Sequence, residues 1–176
     1  MSLPFQLDSF IVRYLAHFRG YYPGILEWYS GLEEEFASGR RQQFVSWNGA
    51  DVQGLAITKN GDRAKLCHIS VSPTARDQGL GRTLMQLALW GMVYRGAQEI
   101  RVTTGEEVFR EHGAFFRAAG FEVIDWQVHR YRHGVSELLW RLKVEPHLFS
   151  LEHASLEESP QFLKHRVLGN VSKSES

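Results

Sequence analysis

A single cysteine, Cys67, stands among 176 residues, which excludes an intramolecular disulfide. An excess of either charge is also missing. The 20 Lys and Arg balance 20 Asp and Glu, so bulk electrostatics make no case for nucleic acid or an anionic membrane as the main partner. No apolar run approaches the ~20 residues that span a bilayer. The opening MSLPFQLDSF has neither the basic nor the apolar stretch of a secretory leader, and the expectation is a cytoplasmic protein. The eight histidines show no metal-ligand spacing, since no pair is joined by cysteines or by a compact third ligand. No metal is expected.

What is present suits one soluble domain. Apolar residues make up 43% and charged residues 23%, proportions that a disordered chain does not have, and the length supports one full core. We read a single domain over residues 1–145 and a polar tail over 146–176, with one short helix near Leu163 and a frayed end.

Phe10 to Phe18 (FIVRYLAHF) is rich in β-branched and aromatic residues; its spacing suits a strand or a helix, and a strand is expected. After Pro23, the residues Ile25, Leu26, Trp28, Tyr29, Leu32 and Phe36 recur at helical spacing until Gly39, which predicts a helix of about four turns. Three strand-like runs follow, Gln43 to Trp47, Val52 to Lys59 and Ala64 to Val71. The turn compositions Asn48-Gly49-Ala50-Asp51 and Asn60-Gly61-Asp62 join them, so an antiparallel meander is expected. A helical stripe from Leu80 to Met92 ends near Gly96. Ile100 to Thr104 is a strand, Val108 to Ala119 a helix closed by Gly120, and Phe121 to Trp126 and Glu137 to Val144 are two further strands. A strand, a helix and a strand without a hairpin turn predict a right-handed βαβ crossover, with the strands at 64–71 and 100–104 parallel.

The stretch Val71 to Leu84 (VSPTARDQGLGRTL) places Gly79 and Gly81 where that long helix begins, although glycine inside a helix costs roughly 1 kcal/mol relative to alanine. The pattern is not a dinucleotide fingerprint, because Leu84 stands three residues after Gly81, and no Gly-Lys-Ser/Thr follows to make a P-loop. Unpaired N–H groups at the first turn of a helix, with the dipole's partial positive charge, suit a phosphate. Glycines let it approach without a Cβ in the way. A tight turn with a helix cap is the purely structural alternative.

Arg76-Asp77-Gln78-Gly79-Leu80-Gly81, read R-x-x-G-x-G between a strand ending V-x-P and an amphipathic helix, resembles motif A of the GNAT superfamily of N-acetyltransferases. The meander before it, the βαβ crossover and the helix ending Ala118-Ala119-Gly120-Phe121 match as well, over roughly residues 10 to 144. The resemblance implies an α/β fold with a mixed, mostly antiparallel sheet and splayed parallel strands. It also implies an enzyme that passes acetyl from acetyl-CoA to a primary amine by direct attack in a ternary complex. The pyrophosphate would lie on main-chain N–H groups from Asp77 to Thr83, with Arg76 or Arg82 adding charge. Pantetheine would add along the edge of Ile69, Val71 and Ser72 as a short extra strand. The cofactor-binding set is then Ile69, Val71, Ser72, Arg76, Asp77, Gln78, Gly79, Leu80, Gly81, Arg82, Thr83, Phe109 and Phe116.

The last two mark departures from the family. Phe116 stands where a tyrosine acid is common, and Phe109 where an asparagine is often found. The expected catalytic groups are therefore His68, Glu106 and Tyr131, each with a structural alternative: a strand histidine, a helix first-turn charge and a cross-strand aromatic. Tyr22, Trp28 and Trp126 are expected to line an aromatic acceptor pocket. The acceptor is a small-molecule or protein amine, the partners include no nucleic acid or membrane, and a homodimer stays open. A coenzyme A-binding protein that turns nothing over is the alternative function.

Overall fold

The computed structural model describes residues 9–128, 134 and 136–145. Six strands form one sheet: β1 (Arg41–Asn48), β2 (Asp51–Lys59), β3 (Arg63–Val71), β4 (Glu99–Gly105), β5 (Glu122–Val128) and β6 (Ser136–Lys143). Their order across the sheet is β1-β2-β3-β4-β6-β5. Every pairing is antiparallel except β3 with β4. The meander and the crossover stand as the turn residues and the intervening helix predicted.

Helix α1 spans Ser9–Ala16, where a strand was expected. Ile11, Tyr14 and Leu15 are buried while Phe10 is 42% exposed. That is one face of a 3.6-residue period, and strand alternation would instead have paired Phe10 with Tyr14. The predicted four-turn helix is two short ones, α2 (Ile25–Ser30) and α3 (Glu33–Ala37), interrupted at Gly31 and Leu32. The buried stripe runs through the break, because Ile25, Tyr29, Leu32 and Phe36 all enter one core cluster. Helices α4 (Leu80–Tyr94) and α5 (Glu106–Ala118) lie where expected.

The sheet carries a core on each face. Leu84, Met85, Ala88, Leu89 and Met92 of α4 join Leu66, Ile100, Val102, Phe116 and Trp140 in the larger one. Each large side chain buried there contributes roughly 1.5–3 kcal/mol. The three N-terminal helices cover the opposite face with Ile11, Tyr14, Leu15, Ile25 and Tyr29 on Leu55 and Ile57. The helix α4 rides close to the meander: a Cβ on Gly54 of β2 would stand 2.6 Å from Leu84 Cδ1.

Two irregularities position the site. The parallel ladder between β3 and β4 covers only Arg63–Lys65 against Glu99–Arg101. Beyond it β3 stays paired to β2 as far as Val71 and β4 to β6 as far as Gly105, so the strands part and leave a gap. In addition, the β2–β3 register slips between Ile57 and Thr58, which face His68 and Leu66. Cys67 is thus the extra residue of a bulge.

Candidate active site

The gap has one strand edge for a wall. Ser72 donates its N–H to the Gln53 carbonyl at 2.8 Å, so the main-chain groups of Ser72 and, by antiparallel alternation, Ser70 turn towards β2. Those of Ile69 and Val71 turn to the gap. Ile69 and Val71 therefore remain suited to a ligand that adds as a strand. The N–H of Ser72 is already used, which corrects the expectation that this backbone lacks a partner through Ser72.

At the mouth of the gap the chain makes a short 3-10 turn, Pro73–Ala75. Ser72 Oγ lies 3.1 Å from Thr74 Oγ1 and Gln78 Nε2 donates to the Thr74 carbonyl. Asp77 (φ +60°) and Gly79 (φ +79°) adopt left-handed conformations, which aspartate tolerates and glycine adopts freely. Among the described residues no main-chain N–H between Arg76 and Arg82 finds a main-chain carbonyl, and the first to do so is Thr83, which donates to Gly79 at 3.1 Å. The cradle of free donors thus closes one residue earlier than expected. Thr83 Oγ1 turns to the same carbonyl. Arg76, Asp77, Gln78, Gly79 and Arg82 are exposed, with Leu80 and Gly81 partly covered. A free N–H run at a helix start, with two arginines beside it, fits an anionic phosphate group.

On the α1 face of the gap, His68 and Ser70 share one side of β3. Ser70 Oγ is 2.7 Å from His68 Nε2 and accepts a hydrogen bond from the Tyr14 hydroxyl at 3.0 Å. Phe18 meets the imidazole edge-on at 5.7 Å. Burial pushes the His68 pKa down to about 4 and that of Tyr14 up to about 12, because each site disfavours the charged form. Tyr14 and Ser70 were not expected here. A helical reading of Phe10 to Phe18 puts Tyr14 on the buried face, where its hydroxyl must find a partner. Strand alternation places Ser70 on the side of His68.

The other predicted residues divide between the two arms of the gap. Glu106 opens α5 directly after β4 and pairs with Arg110. Phe109 meets Trp126 edge-on at 6.1 Å and Trp140 at a tilt at 5.7 Å, with Arg117 over its ring at 5.1 Å. Phe116 is 4% exposed, packed on Phe115, Phe121 and Trp140. On the β3 arm, Trp28 lies under Arg41 at 5.9 Å, and Arg41 Nη1 donates to Cys67 Sγ at 3.0 Å. Burial pushes the Cys67 thiol up. Tyr22 is exposed and its N–H donates to the Phe18 carbonyl; Trp126 is 49% exposed on β5. Tyr131 and Leu163 lie outside the described residues. No three His, Cys, Asp or Glu side chains gather as a metal site among the described residues, and no helix there is long and apolar enough to cross a membrane.

Comparison with known proteins agrees with this geometry. The family model described as "Acetyltransferase (GNAT) domain" matches residues 40–123, from the first strand of the meander to the start of β5. Among solved structures, a protein from Desulfovibrio desulfuricans assigned to the GNAT family aligns at TM-score 0.68 with 21% identity, over 81% of this chain and 96% of that one. An aminoglycoside 6'-N-acetyltransferase complexed with coenzyme A aligns at 0.62 and 13% identity, over 79% and 93%. The ribosomal-protein-S18-alanine N-acetyltransferase of Escherichia coli aligns at 0.53 and 25% identity, over 64% and 77%. No curated protein sequence matches significantly.

Proposed function

Because the chain belongs to the GNAT superfamily of acetyltransferases, we propose that it transfers acetyl from acetyl-CoA to a primary amine by direct attack in a ternary complex. One observation carries this reading: the gap between β3 and β4 offers the edge of Ile69 and Val71, on which the Val71 carbonyl takes a 3.4 Å hydrogen bond from Arg76 Nε, and meets the unpaired N–H run of Asp77 to Arg82. The first suits an extended amide-containing arm, and the second suits a pyrophosphate. The structural relative with coenzyme A supports the same cosubstrate.

The thioester then lies beside the β3 edge, where a main-chain N–H can stabilise the oxyanion formed on attack. The amine must be neutral to attack, yet a lysine-like amine has a pKa near ~10.4. His68, on the α1 face of the gap, is the group assigned to the proton that the amine loses as it attacks. Glu106 on the other arm is the second catalytic group, and Trp126 beside Phe109, with Tyr22 and Trp28, is assigned to the acceptor side. We place the reaction in the cytoplasm.

The test is calorimetry with acetyl-CoA, followed by free-thiol release with polyamines, aminoglycosides, amino acids and peptides. Micromolar binding and thiol release with at least one amine are expected. No heat of binding at high micromolar acetyl-CoA would sink the reading. A second reading has its own observation, since Phe116 offers no hydroxyl at the usual acid position and is buried in the core. It makes the protein a coenzyme A binder without turnover, and binding with silence across the amine panel favours it.

A further inference from the structure

Tyr14, Ser70 and His68 form a continuous hydrogen-bond chain on the α1 face of β3. Because Ser70 Oγ accepts from Tyr14, its own proton is free for His68 Nε2. At 2.7 Å the Ser70 hydroxyl can donate that proton to Nε2 when the imidazole carries its own proton on Nδ1. Tyr14 is 7% exposed, so the chain is fixed at its far end by a side chain that the neighbouring core holds in place. Ser70 is the middle link, and it lies between the two residues whose main-chain groups face the gap.

Resting on the acetyl-transfer reading above, we propose that Ser70 and His68 are a closed proton shuttle, which takes the proton the attacking amine must lose and returns it to the departing thiolate. Tyr14 is the positioning residue that orients the Ser70 hydroxyl. As the amine nitrogen bonds to the thioester carbon, its proton passes to Ser70 Oγ while the Ser70 proton moves to His68 Nε2. When the C–S bond breaks, the electron pair leaves on sulfur. The imidazolium returns its Nε2 proton to Ser70, and the Ser70 proton goes to the thiolate. The shuttle starts from the neutral amine, the extra proton of an ammonium form leaving to solvent beforehand, and no separate acid is required at Phe116. The burial that depresses the His68 pKa favours the return step, because a desolvated imidazolium is a strong acid towards a thiolate whose conjugate acid has a pKa of ~8.5. Around the imidazole stand Ser70, which bonds Tyr14 of α1, Phe18 in the turn after α1, Ile57 opposite on β2, and Cys67 on β3. Arg76 acts on Tyr14 through its charge.

The chain is tested first without any acceptor, by 15N spectra of the full protein with labelled histidine, using His68→Gln to assign the signal. A neutral, Nδ1-protonated ring from about pH 5.5 to 8 is expected, with Ser70→Ala and Tyr14→Phe each shifting the tautomer balance. A ring protonated on Nε2, or charged at pH 6, overturns the shuttle. Kinetics follow with the panel amine that releases thiol fastest. Ser70→Ala and His68→Gln are each expected to lower kcat about 10²-fold, with acetyl-CoA affinity held. The double variant should be no slower than either single one, as residues acting as a unit behave. Tyr14→Phe lowers kcat less and leaves KM in place. Losses that multiply, losses confined to KM, or thiol release by no amine despite bound acetyl-CoA overturn it. If the wild type binds no acetyl-CoA, the transfer reading itself falls, while the histidine spectra still decide the hydrogen-bond chain.

Discussion

Gly81→Glu separates the phosphate cradle from the fold. A Cβ at Gly81 would stand 3.6 Å from both Val71 Cγ2 and Phe115 Cε2, ordinary contact that displaces nothing. The residue is inside the first turn of α4, so replacing glycine relieves a helix penalty of up to about 1 kcal/mol. A carboxylate in that turn adds about 0.3–1 kcal/mol through the dipole. The variant is therefore expected to melt no lower than the wild type, and higher by roughly 2–4 °C for each kcal/mol gained. Binding moves the other way. A carboxylate about 4 Å from a phosphate charge, at an effective dielectric near 20, opposes it by about 4 kcal/mol, which is roughly 10³-fold in Kd. Calorimetry with coenzyme A beside a thermal melt reads both quantities, with Gly81→Ala separating bulk from charge. A folded Gly81→Glu protein whose Kd stays within a few-fold of the wild type would refute the cradle.

Three further outcomes probe the packing and the half-buried His68. Thr104→Val removes the acceptor 2.8 Å from the Trp140 indole N–H in a core where both residues are buried. A loss of about 1–3 kcal/mol in urea unfolding is expected, and an unchanged midpoint would show that the bond contributes nothing. Gly54→Ala drives a Cβ to 2.6 Å from Leu84 Cδ1 and 3.2 Å from the Ser70 carbonyl. It should cost about 1 kcal/mol or more and, through Ser70, slow any turnover; a melt equal to the wild type counts against the close approach of α4. The folded pKa of His68 is depressed from 6.5 to about 4, so the unfolded chain takes up a proton that the folded one refuses. Stability is full above about pH 6.5 and is lost as pH falls towards 4, with a slope of at most about 1.4 kcal/mol per pH unit. His68→Gln should flatten that limb of the melting curve, and an equally steep limb in the variant places the acid sensitivity elsewhere.

Elements whose period or turns were unambiguous were legible in the sequence. The meander followed from two Asn-Gly turns, and α4 from a stripe of leucine, alanine and methionine at helical spacing. The turn that opens α4, with Gly79 left-handed at φ +79°, followed from Gly79 and Gly81, residues that are costly inside a helix. Phe10 to Phe18 was not legible. Its composition favours a strand, and only the presence of a second sheet face to cover makes the Ile11, Tyr14, Leu15 stripe the one that is buried. The break at Gly31 also escaped, since the buried stripe continues through it.

The fold class, the βαβ crossover and the turn into α4 were set by local chemistry: turn residues, hydrophobic period and two glycines at a helix start. The meeting of His68 and Ser70 with Tyr14 was decided only in three dimensions. Plain alternation along β3 would put His68 and Ser70 on the side of Leu66, in the core beneath α4. The bulge at Cys67 reverses the phase. Leu66, Ile69 and Val71 then face that core, while His68 and Ser70 turn to the opposite side, where Tyr14 and Phe18 meet them. A register slip depends on how two strands pair, and no residue pattern within one strand specifies it.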